Sequence, residues 1–186
     1  MVLALYLLSA FLLLLAAWVA FRLFGRRDYR RQGRLMPFSL LLETLVFFLW
    51  GGFPYLYGPS DWPAVHLGPI LKAIGWTSLG VGLAVMFAAM AGLGLRRTLG
   101  QGPNPLKQTG LYHLTRNPQI VGCGLYGIGF ALLWPSWYAL GWAALYAVIA
   151  HMMVLTEEEH LREVHGEAYA RYCERVPRYL AFRRGS

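Results

Sequence analysis

The chain of 186 residues is 57% hydrophobic and only 14% charged, against about 45–50% apolar and 25% charged for ordinary soluble domains. A globule of this size has no interior large enough for that much apolar surface, which excludes a soluble single domain. The net charge of +8 sits on arginines beside apolar runs, so it points to a membrane surface and away from nucleic acid.

Residues 2–21 carry no charge and, at about 1.5 Å per residue, suffice to cross a hydrocarbon core of about 30 Å. The run lacks a positive leader and a small-residue cleavage site, so it is expected to remain as an anchor. Residues 25–37 follow as a basic loop. Residues 38–57 form a second span whose one charge, Glu43, lies near its start, and residues 69–95 form a third with only Lys72 near its beginning. Between residues 100 and 117 come Gly100, Gly102, Pro103, Asn104, Pro105 and Gly110, a composition no regular helix tolerates. Residues 120–155 contain no Asp, Glu, Lys or Arg. They are too long for one span and suit two short ones. Trp134-Pro135-Ser136-Trp137 divides them, since proline stops a helix and tryptophan favours the headgroup boundary. The prediction is a tight helical hairpin. Beyond it, residues 156–181 read as an amphipathic helix to about Glu174, with Leu161, Val164, Ala168 and Tyr172 on one stripe and Val176-Pro177 as its end.

The fold class is therefore all-α: a polytopic membrane protein of five spans, with a C-terminal hairpin and a cytoplasmic amphipathic helix. Charge supports the count. Arg22, Arg26, Arg27, Arg30, Arg31 and Arg34 follow the first span, Arg96, Arg97, Lys107 and Arg116 the third, and Arg162, Arg171, Arg175, Arg178, Arg183 and Arg184 the fifth. All three clusters share one side only if residues 120–155 cross twice, and segments 58–68 and 135–137 opposite them hold no lysine or arginine. The positive-inside rule then places the N-terminus outside and the C-terminus in the cytoplasm. Cys123 falls in the fourth span and Cys173 in the tail, so no disulfide is expected, and no metal-ligand spacing involves either.

Two features suggest chemistry. Asn117-Pro118 pairs a good N-cap with a residue favoured at the first helical position. The fourth span should start there, with its free N–H groups beside Arg116 as an anion site. Glu157-Glu158-Glu159 lies just past the fifth span, on the surface to which the hairpin returns. An ordinary capped helix and a solvated acidic turn explain each feature singly; the two together make a site with both signs of charge. Glu43 and His151 lie in or near the hydrocarbon, where ionisable groups are costly, and either could shape an acceptor pocket or move a proton. A polar group satisfied between helices is the plainer account of both. The glycine pairs Gly92/Gly94, Gly122/Gly124 and Gly127/Gly129 lie within apolar spans and suit close helix approach.

From Gly110 to Arg178 the chain shows Gly110-Leu111-Tyr112, Arg116-Asn117-Pro118, two linked apolar spans, Glu157-Glu158, Leu161, Gly166, Tyr169, Tyr172 and Val176-Pro177-Arg178. That ordered set resembles the integral-membrane methyltransferases grouped with isoprenylcysteine carboxyl methyltransferase and the small phospholipid N-methyltransferases. Where that family usually has Arg-His-Pro and then a tyrosine, this chain has Asn117 and Ile120; His165 stands where a phenylalanine commonly precedes Gly166.

The resemblance implies an enzyme that uses S-adenosylmethionine to methylate a lipophilic acceptor at the cytoplasmic leaflet, favouring a phospholipid amine or other small lipid. Neither loop is long enough to fold alone, so the chain reads as a single domain over residues 1–186, with three spans in 1–99 and, by the resemblance, the cofactor-binding core in 100–186. Arg116, Asn117, Pro118, Glu157 and Glu158 are the cofactor residues it implies, with Tyr112, Gly122, Gly124, Tyr169, Tyr172 and Arg178 as weaker members. Glu158, His151 or Glu43 would act in catalysis, and Glu158→Gln would cost cofactor affinity and little stability. The membrane would be the inner one of a prokaryote. A carboxyl or thiol methyltransferase, a sterol-reductase-like oxidoreductase and a non-catalytic membrane protein are the alternatives.

Overall fold

The computed structural model describes residues 2–57, 68–94, 98–100 and 106–180. Most of segment 58–68 lies outside them, as do Arg96, Arg97, Gly102, Pro103, Asn104, Pro105, Arg183 and Arg184. Among the described residues every regular element is helical. Helix α1 (Val2–Trp18), a π-helical segment (Val19–Gly25) and α2 (Arg26–Gln32) form one continuous rod. The basic loop expected over residues 25–37 is thus helical as far as Gln32. No proline interrupts that stretch, and the rod ends only at Gly33, whose φ of 66° suits glycine.

Helix α3 spans Pro37–Tyr57 and α4 spans Pro69–Leu93. Helix α4 stops short of the expected Leu95 because Gly94, at φ 86°, turns its N–H onto the Met90 carbonyl at 2.8 Å. A 3-10 turn (Gly110–His113) leads to α5 (Pro118–Leu133). The Trp-Pro-Ser-Trp corner then reverses the chain into α6 (Trp137–Arg175), where the Ser136 hydroxyl caps the Ala139 N–H at 3.0 Å. The fifth span and the expected amphipathic helix are one element of 39 residues. Nothing from Thr156 to His165 breaks a helix, so α6 carries straight on into its charged half. Only Gly166 (φ 47°, ψ −122°) interrupts it.

Cross-bundle contacts fix the helix directions. Tyr6 donates to the Tyr138 carbonyl at 3.1 Å, and Thr156 donates to the Phe21 carbonyl at 3.2 Å, so α1 and α6 run parallel. Helix α3 runs antiparallel to α6, held by Trp50 and Trp142. Each indole N–H donates to the other residue's carbonyl (3.1 and 2.8 Å), and the rings stack 4.5 Å apart at 4°. Stacking adds about 0.5–1.5 kcal/mol to the burial of the two rings. Helices α4 and α5 are also antiparallel, touching backbone to backbone through Gly75 and Gly82 on one and Gly122 and Gly129 on the other. A Cβ on Gly122 would lie 2.6 Å from the Met86 nitrogen, and one on Gly129 2.6 Å from that of Leu79.

Three stretches are long and apolar enough to cross a membrane: Leu3–Gln32, Pro69–Leu93 and Trp137–Arg175. The shorter apolar helices Pro37–Gly52 and Pro118–Leu133 accompany them. The apolar part of α6 ends at Leu155, and the polar residues of α2, the 3-10 turn and α6 gather at one end of the bundle.

Candidate functional site

The site is built where α5 begins and α6 leaves its apolar half. Asn117 occupies the N-cap position of α5 with Pro118 at the first helical place, yet its side chain does not cap. The expected capping role is corrected: Nδ2 donates instead to the Arg178 carbonyl at 3.0 Å. Thr115 donates to the same carbonyl at 3.1 Å, and the Arg116 N–H to the Pro177 carbonyl at 2.9 Å. The tail after α6 therefore clasps the segment before α5, and among the described residues no side chain caps that helix.

Glu158 is buried among arginines. Arg178 grips it at two points, Nε to Oε1 at 3.0 Å and Nη2 to Oε2 at 2.7 Å, while Arg116 Nη2 lies 3.4 Å and Arg162 Nη2 3.9 Å away. These bonds raise the Arg178 pKa above its ordinary value. Arg116 also meets the Cys173 thiol, and its Nε is buried without a hydrogen-bond partner among the described residues. Glu157, the preceding residue, points elsewhere and has no ion-pair or hydrogen-bond partner among them. Burial, reinforced by the neighbouring Glu158, pushes its carboxyl up to about 7.

A narrow cleft of about 100 Å³ joins these groups, smaller than the roughly 300–1,000 Å³ typical of small-molecule sites. Arg116, Asn117, Pro118, Glu157 and Glu158 line it, with Tyr112, Tyr169 and Tyr172 as aromatic wall. Tyr172 donates to the Tyr112 carbonyl at 2.6 Å, and Tyr169, Tyr172 and Val176 pack on Leu106. Burial raises all three phenol pKa values, so each stays a neutral hydrogen-bonding group. Leu93, Ile120 and Met153 supply apolar lining.

Of the sequence-predicted residues, those eight share the cleft. Five others do not line it. Arg178 buttresses Glu158 from behind. Gly122 is spent on the α4 backbone, and Gly124 faces the Tyr146 ring at 3.7 Å. His151 meets the Tyr179 hydroxyl at 2.9 Å. Glu43 is buried where Gly25 leaves room, since a Cβ there would lie 2.6 Å from its Oε1. The amphipathic stripe also changes: Val164 and Ala168 are exposed, and Tyr169 is buried because Gly166 re-phases the helix.

Several lining residues were missed, two of them an aromatic pair. Tyr29 of α2 stacks on His160 of α6, ring centroids 4.5 Å apart at 18°. His160 was legible, standing three residues after Glu157 on one helical face; Tyr29 was hidden in a presumed loop. Burial lowers the His160 pKa, keeping the ring neutral.

Searches of curated proteins and of solved structures returned no match. A family model for phospholipid methyltransferases matches residues 71–168, from the start of α4 to just past Gly166. That is over half the chain and includes the helix start at Pro118 and both cleft glutamates, so the chain belongs to the phospholipid methyltransferase family.

Proposed function

We propose that the protein transfers a methyl group from S-adenosylmethionine to a lipophilic acceptor, favouring a phospholipid amine, at the cytoplasmic leaflet. The observation that carries this reading is the cleft, which joins a helix start, a cation and a carboxylate; among the described residues the helix start lacks a side-chain cap, the Arg116 Nε–H a partner and Glu157 an ion-pair partner. That donor set fits an amino acid joined to a nucleoside. Arg116 and the start of α5 would hold its carboxylate, Glu157 its ammonium, and Tyr112, Tyr169 and Tyr172 its nucleoside. Glu158 keeps Arg116 in place and needs no contact of its own. When bound, the cofactor supplies a methyl group already activated by its sulfonium.

The protein's share is alignment and exclusion of water. Ile120, Leu93 and Met153 give an acceptor chain an apolar wall beside the polar groups. An amine acceptor, with a pKa near the lysine value of about 10.4, must shed a proton before it attacks. His160 lines the cleft in its neutral form and suits that proton. The rod of α1 and α2 and helices α3, α4, α5 and α6 would make five crossings of the bilayer, N-terminus outside, as one domain over residues 1–186, in the inner membrane of a prokaryote. Calorimetry with S-adenosylhomocysteine in detergent tests the cofactor, and radiolabelled methyl transfer into a total lipid extract tests the acceptor. A folded protein that neither binds nor transfers would end the proposal.

A further inference from the structure

The rod of α1, the π-helical segment and α2 carries a second surface, apart from the cleft. Leu12, Leu15 and Val19 line an open groove of about 670 Å³ whose other wall is Leu42, Leu45 and Leu49 of α3. Leu12, Leu15, Leu45 and Leu49 are exposed. Continuing along the same rod, Arg22, Leu23, Arg26, Arg27, Arg30 and Arg31 line a second open groove of about 720 Å³. Leu15, Val19, Leu23, Arg27 and Arg31 recur every four positions, the spacing that keeps one face along a rod with a π-helical segment in its middle, so one stripe runs through both grooves. It is apolar up to Leu23 and basic from Arg27.

We infer that this stripe binds one anionic phospholipid, its acyl chains along the α1–α3 groove and its phosphate among the arginines. The polarity of the stripe matches the polarity of the molecule. Arg22 and Arg26 are bound to Glu159 (2.8 and 2.7 Å), and Arg30 lies 3.6 Å from Glu163. Those pairs brace the basic end against α6. Arg27 and Arg31 are exposed and have no ion-pair partner among the described residues, which leaves two positive charges for a phosphate. An acyl groove without the arginines would take any lipid, and the arginines without the groove would take any anion. Only together do they specify a lipid of one charge class.

The test is native mass spectrometry of the full-length, delipidated protein titrated with dioleoyl phosphatidylglycerol, dioleoyl phosphatidylcholine or inorganic phosphate. One phosphatidylglycerol should bind with at least a tenfold preference over phosphatidylcholine, weakening as salt rises from low to physiological strength. The double variant Arg27→Gln/Arg31→Gln should lose roughly thirtyfold, because each arginine near an anionic surface contributes about fivefold. Leu15→Trp with Leu45→Trp, filling the groove, should weaken both lipids. Equal retention of the two lipids would reduce the surface to ordinary lipid contact and overturn the inference. So would phosphate binding as tightly as phosphatidylglycerol, or a salt-independent preference that survives the arginine changes. The wild-type salt titration decides the matter even if a variant fails to fold, and none of these readouts depends on methyl transfer.

Discussion

Glu157 and Glu158 are adjacent, about 100° apart around α6, so only one of them faces the arginines. Glu158 is enclosed by Arg178 and Arg116. Changing it to glutamine would leave two guanidinium groups without their carboxylate, and we expect a loss on the order of 2–3 kcal/mol, tempered by the partial exposure of Arg178. The measurement is the melting temperature in detergent, which should fall clearly. This differs from what the sequence predicts for Glu158→Gln, because nothing in Glu-Glu-Glu says which carboxylate a tail residue 20 positions away will grip. Glu157→Gln is the complementary case: a melting temperature that rises at pH 7 and at least tenfold weaker binding of S-adenosylmethionine. Its carboxyl, held near 7 against an ordinary 4.5, keeps its proton longer in the fold than in the unfolded chain. It therefore lowers the stability of the free protein as pH rises from about 4.5 to 7. A bound cation favours the ionised form, so affinity should rise with pH and level off above about 7, falling up to tenfold per pH unit below it. Calorimetry from pH 5.5 to 8 reads the slope, and Glu157→Gln should flatten it.

At the level of elements, the apolar helices were legible because apolar runs and the Trp-Pro-Ser-Trp corner are local signals. The joins were less so. The arginine-rich stretch after the first span reads as a loop by charge, yet it continues a helix and brings Tyr29 to His160, a pairing no local pattern carries. The glycines show the same division. Their suitability for close approach was visible, but which ones meet a partner depends on how α4 and α5 face each other. Gly82 and Gly122 meet backbone, whereas Gly92 meets nothing within 4 Å. A helical Gly→Ala change ordinarily gains up to about 1 kcal/mol. At Gly122 overpacking against the Met86 backbone should reverse the sign and cost about 1–3 kcal/mol. Thermal melts of Gly122→Ala beside Gly92→Ala should therefore shift in opposite directions.

For the whole molecule, alternating helix directions put residues 33–36, the 3-10 turn and the end of α6 at one end, and the corner at Trp134 at the other. In a background without Cys123 and Cys173, single cysteines at Arg34, His113 and Glu174 should react with an impermeant maleimide from the same side of sealed vesicles. One at Trp137 should react only from the opposite side; mixed accessibility within the first group would remove the five-span arrangement. Gly166 has a consequence for this architecture. Its backbone torsions redirect the chain with open space around the α-carbon, so the obstacle to any other residue there is torsional and owes nothing to crowding. Tyr169 and Tyr172 thus form a roof hinged at that joint and tied down beyond it by the clasped tail. A lesion at that joint would leave the beams in the bilayer standing while tilting the roof off the chamber below.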